Sequence, residues 1–253
     1  MKRILFLTLA VLFLLAAVST ITLCSLGQAL PDGRAGEKAE ALADRIENAI
    51  NKDAWDKTAA VSFVFSKRNN RHFRDKKRDL VEVEWGEDPV YKVQYSNQDR
   101  SKFLAWQGTD RLEGQDAADL LDQAVKYHTN DYFWLNPYSM LRAPGTVRKL
   151  VGEQALLLTF QSGGVTPGDS YLIITDENGL PRRWQMWVSI IPIDGIEWQC
   201  TEWVTSDTGA KLNLQNVGSL ATIGLDQVRT WSAYPGKNED RFAELLPLLE
   251  ARE

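Results

Sequence analysis

A histidine beside a carboxylate is the commonest device for moving a proton near neutral pH, and this chain of 253 residues has two histidines, His72 and His128. His72 has Asp75 three residues on and Arg71 and Arg74 beside it, an acid–base pair that proton transfer could use. A covalent hydrolase needs a side-chain nucleophile as well, and a zinc hydrolase its metal ligands. Ser162-Gly163-Gly164 lacks the G-x-S-x-G elbow, and no H-E-x-x-H occurs. CxxC and Cys/His zinc spacings are absent too, and two histidines exclude a histidine-rich metal site. No catalytic residue, metal or cofactor is assigned. His128 lies on an apolar helical face and reads as a core histidine with one satisfied nitrogen.

The strongest local signal is aromatic. Tyr127, Tyr132, Phe133, Trp134, Tyr138 and Met140 fall within 14 residues. Aromatic rings and methionine supply a large, adaptable apolar wall, so these residues are candidates for a ligand lid. The same side chains would equally serve as a plug that fills the protein's own interior. Further along, the period of two puts Ile196, Trp198, Cys200, Glu202 and Val204 on one strand face. Trp198 and Glu202 join the candidate cavity wall. An inward Glu202 needs an arginine or a ligand headgroup as partner, whereas a β-bulge would return it to solvent and bury Trp203.

The elements that must position these residues begin with a leader. Lys2 and Arg3 precede an uncharged, almost wholly apolar run over residues 4–26, the pattern of a secretory signal and long enough to span a bilayer. Three fates follow for residues 1–29. Gly27-Gln28-Ala29 offers small residues for cleavage after Ala29. Retention would leave an anchor with Lys2 and Arg3 inside and the body outside. Cys24 offers lipidation, although Leu23 stands where a lipoprotein signal has a small residue. The expected location is the bacterial periplasm or cell envelope.

Loss of the leader takes Lys+Arg from 29 to 27 against 34 acidic residues, and the net charge from −5 to −7. That balance argues against nucleic acid. One basic cluster, Lys67 to Arg78, reads as a solvated hairpin or as a patch for anionic lipid headgroups. Cys200 alone remains outside the leader, so no intramolecular disulfide forms and the fold rests on its core. A monomer is expected.

Residues 30–36 read as a linker, 37–235 as a single domain and 236–253 as a tail, its helical pattern cut by Pro247 and its order expected to be poor. Helical periodicity covers 37–50 and 116–136, with Asp116 as N-cap and Pro137 as the stop. Alternation marks strands through Val61-Phe63-Phe65, Val81-Val83-Trp85 against Glu82 and Glu84, and Tyr91-Val93-Tyr95, then seven more from Val147 to Trp231. Short connections such as Asp176-Glu177-Asn178-Gly179 predict a meander.

This order of elements, together with Ile174-Thr175-Asp176-Glu177-Asn178-Gly179-Leu180-Pro181-Arg182-Arg183-Trp184 and Glu202-Trp203-Val204-Thr205-Ser206-Asp207-Thr208-Gly209-Ala210-Lys211-Leu212, resembles the bacterial lipoprotein-carrier superfamily of sorting chaperones and receptors. Ala54-Trp55-Asp56-Lys57-Thr58 and Asn130-Asp131-Tyr132-Phe133-Trp134-Leu135-Asn136-Pro137 look like a less characterised exported branch of it. The resemblance implies a mainly β (α+β) fold, a half-open antiparallel β-barrel whose concave face is covered by helices and whose cavity holds acyl chains. The expectation is therefore an extracytoplasmic carrier for a lipid, acyl chain or other hydrophobic ligand. A structural or partner-docking envelope protein with a self-filled barrel is the alternative, and a hydrolase the third. Fold alone transfers no function.

Overall fold

The computed structural model describes residues 27–88, 90–162, 168–236 and 240–250. The apolar leader, Cys24 and Gly163-Gly164 lie outside the described residues. In chain order the elements are α1 (Glu37–Ala49), α2 (Lys52–Lys57), β1 (Ala60–Phe65), β2 (Asn70–Asp75), β3 (Leu80–Trp85), β4 (Tyr91–Ser96), β5 (Phe103–Gln107) and β6 (Asp110–Leu112). Then come α3 (Gly114–Leu135), a 3₁₀ turn (Pro137–Met140), β7 (Thr146–Val151), β8 (Ala155–Phe160), β9 (Ser170–Thr175), β10 (Pro181–Trp187) and β11 (Ile196–Cys200). The chain closes with β12 (Trp203–Thr205), β13 (Lys211–Asn213), β14 (Gln215–Gly218), β15 (Thr222–Trp231) and α4 (Leu246–Glu250). Every strand pairing described is antiparallel.

The chain forms two compact units. The first comprises residues up to Arg45 together with Leu141–Gln199, and its strands run in the order β7-β8-β9-β10-β11. The second comprises Ile46–Met140 and Cys200 onward, with strands in the order β6-β5-β4-β3-β2-β1-β15-β14 and a separate β12-β13 hairpin. Neither run brings its first strand back to its last. The strands are therefore open rather than closed into a barrel, the mainly β, half-open antiparallel class expected.

Alternation in the second unit has two apolar faces, because both are covered. On one face Val81, Val83, Val93, Tyr95 and Ala105 pack with Ala117 and Ala124 of α3. On the other, Ala60, Phe73, Leu80, Leu104 and Trp106 pack with Phe242 and Leu245. Phe242 and Leu245 are fully buried, so the segment expected to be a poorly ordered tail is a layer of the core. It also explains Glu82, which alternation assigns to solvent: the carboxylate is buried, ion-paired with Arg241 and hydrogen-bonded by Gln94 Nε2 at 2.5 Å. Helix α3 starts three residues earlier than an N-cap at Asp116 indicates. Glu113 occupies the N-cap without a side-chain bond and Asp116 lies in the first turn, while Pro137 follows the helix as expected.

Candidate functional site

Strand β2 lies between β1 and β3, and its alternate residues Asn70, His72 and Arg74 share one face by the period of two. His72 pairs in register with Val83, which places that face with the residues packed against α3. From α3, His128 and Asp131 are three residues apart and share one helical face. The sequence thus presents a polar ladder to a polar stripe inside an otherwise apolar layer. Asn70, His72, His128 and Asp131 are each no more than 3% exposed.

Asp131 organises the cluster. Its Oδ2 accepts from Asn70 Nδ2 at 2.9 Å and stands 2.9 Å from His72 Nε2; its Oδ1 accepts from Asn130 Nδ2 at 2.8 Å and pairs with the Arg68 guanidinium. His72 Nδ1 lies 3.4 Å from His128 Nδ1, and His128 Nε2 lies 3.3 Å from Arg74 Nη1. Arginine can only donate. His128 Nε2 therefore accepts from Arg74, His128 Nδ1 carries the hydrogen given to His72 Nδ1, and His72 Nε2 donates to Asp131. One direction of donation satisfies all four ring nitrogens with both imidazoles neutral.

Electrostatics agree with that assignment. Burial pushes the His72 pKa down from 6.5, outweighing the opposing pull of Asp131. Burial, then the neighbouring His72 and the Arg74 charge, hold His128 well below 6.5. Rings complete the enclosure. Phe63 stacks on His72 with centroids 4.6 Å apart, and Tyr132 lies 5.0 Å from His128.

A general base must reach a proton on its substrate, and here the ring nitrogens are spent on one another. The His72–Asp75 pairing read from the sequence is replaced: residues three apart on a strand point to opposite faces, and Asp75 instead accepts from Arg78 and the backbone N–H groups of Lys77 and Arg78. His128, read as having one satisfied nitrogen, has both engaged. Much of the basic cluster likewise turns to partners: Arg68 to Asp131, Arg74 to Asp79, Arg78 to Asp75 and Asp240, and Lys76 to the Trp55 carbonyl and ring. Among the described residues no group of three or more His, Cys, Asp or Glu could hold a metal ion.

The aromatic candidates fall into separate groups. Tyr127 packs edge-on to Trp85 at 5.7 Å, with the Arg68 guanidinium 5.0 Å from its ring centroid. Tyr132 is half-buried among Trp55, Phe63 and His128, under Arg74. Phe133 is half-buried and lies edge-on to the buried Trp134. Tyr138 is buried, its Oη 3.1 Å from Cys200 Sγ and its ring 5.8 Å from Trp203; Met140, ending the 3₁₀ turn, is half-buried. Glu202 is exposed where β11 gives way to β12, and Trp203 is half-buried. Trp198 belongs to the first unit, where Phe160, Tyr171, Trp184 and Trp198 form a row across β8 to β11 with successive centroids 5.9, 6.0 and 6.4 Å apart.

From the sequence, Arg68 was read only as part of the basic cluster and Asp131 only within a resemblance motif; neither they nor Asn70 were assigned to a site. The signal that could have found them is the helical pair His128-x-x-Asp131 beside a strand reading Asn-x-His-x-Arg.

No protein-family model matches the sequence, and no curated protein matches it. Among solved structures, the chain is similar to a DUF1329 family protein from Desulfovibrio piger ATCC 29098, with 10% identity over 82% of this chain and 97% of that chain and a TM-score of 0.36. A likeness of that size carries no argument about fold or function.

Proposed function

We propose that the chain is an exported, non-catalytic envelope protein that offers a rigid β scaffold to a partner, its second unit filled by its own side chains. One observation carries this reading: α3, which bears most of the aromatic candidates, is fastened to β2 through the fully buried Asp131. A lid must open, and opening this helix would strip a buried carboxylate of its donors. The burial of Trp134, Leu135 and Tyr138 supports a plug in the same way.

The carrier reading, in which a lipid or acyl chain is bound, keeps one supporting observation. The aromatic row of the first unit is buried at Trp184 and Trp198 but half-exposed at Phe160 and Tyr171, an apolar wall on which a hydrophobic ligand could lie.

Organic extraction of the purified chain followed by mass spectrometry separates the two. The scaffold reading expects no stoichiometric lipid, and a lower melting temperature for Trp134→Ala and Phe133→Ala. Stoichiometric lipid that is lost in Trp134→Ala or Tyr171→Ala while the melting temperature holds would overturn it in favour of a carrier.

A further inference from the structure

We propose that the loop over residues 189–194 of the first unit rests on the surface of the bilayer that holds an uncleaved leader. The inference goes beyond the scaffold reading and stands whether the protein docks a partner or carries a ligand.

The first observation is a strap. Gln28 donates its backbone N–H to the Asp194 carbonyl at 2.9 Å, accepts the indole N–H of Trp187 on its own carbonyl at 2.6 Å, and meets Gln185 Nε2 through its side-chain oxygen at 3.1 Å. Six residues on, Arg34 forms an antiparallel bridge with Leu150, its N–H and carbonyl both bonded, at 2.9 and 2.8 Å. Close packing holds both ends. A Cβ on Gly195 would meet Gln28 Cβ at 2.7 Å, and one on Gly33 would meet Lys149 Cβ at 2.8 Å. Residues expected to form a cleavage site and a linker are thus built into the unit. Cleavage after Ala29 would discard Gln28 and take the acceptor from the indole of Trp187, which is only 8% exposed. A chain that keeps residue 28 keeps all three of these hydrogen bonds.

The second observation is what lies beside that strap. The loop reads Ser189-Ile190-Ile191-Pro192-Ile193-Asp194. Ile190 is 72% exposed and Pro192 is exposed, while Ile191 and Ile193 are half-buried. Isolated surface isoleucines need no explanation, but this one has a neighbour. The apolar run over residues 4–26 ends two residues before Gln28, and two residues span at most about 7 Å. A run of that length suits a bilayer, so a retained leader would bring the membrane surface to the loop that exposes Ile190. The loop has no lysine or arginine, and its one charge, Asp194, is at its exit. Contact through it would be apolar insertion rather than attraction to anionic headgroups.

The full chain, purified from membranes in detergent, should have an intact mass that begins at Met1. A mass that lacks the apolar run over residues 4–26, whatever residue the chain then begins at, overturns the proposal. For the contact, Ile190→Cys and Glu177→Cys would be spin-labelled in a Cys24→Ser background, Cys200 being buried, and returned to phosphatidylcholine nanodiscs. Glu177 lies in the β9–β10 hairpin, at the other end of a seven-residue strand, roughly 20 Å away at ~3.3 Å per residue. The label at 190 should collide more with oxygen than with an aqueous nickel chelate, and the label at 177 the reverse. Equal aqueous exposure at both positions overturns the contact even if the leader is retained.

Discussion

Helices α1 and α3 both meet their strands through carboxylates and cationic or polar side chains, but the first does so in water and the second out of it. In the first unit, Glu40 of α1 accepts from Arg142 Nη1 at 2.7 Å and from Arg148 Nε at 3.0 Å, and Asp44 pairs with Arg142. These carboxylates are 41% and 64% exposed. In the second unit, Asp131 of α3 is 0% exposed, as is its histidine partner. Burial pushes the Glu40 pKa up and the two arginines more than reverse it, yet solvent screens what each pair contributes. At Asp131 no solvent takes over a lost bond. The surface pairs can be exchanged one at a time, whereas the buried cluster stands or falls as a set.

The largest expected effect is at Asp131. Asp131→Ala leaves the N–H groups of His72 and Asn70 buried without their acceptor and should cost about 3–5 kcal/mol, measured by urea unfolding with tryptophan fluorescence. Asp131→Asn, which keeps one acceptor oxygen, should lose less. A cost under about 1 kcal/mol for the alanine variant would put the buried cluster in the same class as the surface pairs and break the contrast.

Acid should act on the second unit before the first. Both histidines have folded pKa values below 6.5, so below pH 6.5 the unfolded chain binds more protons than the folded one. Their contribution is present above pH 6.5 and is lost as pH falls through it, at up to about 1.4 kcal/mol per pH unit for each group. His128→Leu should lower stability at pH 7.5 and reduce the loss between pH 6.5 and 5. An unchanged pH slope in the variant would show that another group sets it.

Glu40→Ala should cost least, about 1 kcal/mol or less, and the cost should shrink with added salt. A salt-independent loss larger than that of Asp131→Asn would reverse the comparison.

Legibility followed how local the cause was. The strands and the stop at Pro137 could be read because side-chain alternation and the proline ring act within a few residues. Glu82 misled because what covers it, Arg241 and Phe242, lies at the far end of the chain. The acid for His72 was sought in its own strand, at Asp75, and is supplied by a helix 59 residues away. The exposed position of Glu202 depends on the break between β11 and β12; the bulge weighed from sequence also put Glu202 in solvent, but with Trp203 buried, whereas Trp203 is half-buried. Periodicity ranks residues by face but does not say which two faces meet. That is why the aromatic residues were conspicuous and Asp131, a charge on a helix like many others, was not.

The most direct test of the buried cluster is the protonation of its two imidazoles, the only ones in the chain. Long-range ¹H–¹⁵N correlation spectra of ¹⁵N-labelled protein distinguish the two neutral tautomers from each other and from imidazolium. The geometry requires His72 to carry its hydrogen on Nε2 and His128 on Nδ1, and burial holds both folded pKa values below 6.5, that of His128 well below it, so His128 should stay neutral as pH is lowered past 6.5 while the protein remains folded. Two rings that titrate near pH 6.5, or a His128 protonated on Nε2, would contradict the directed network and with it the case that α3 is a fixed part of the fold.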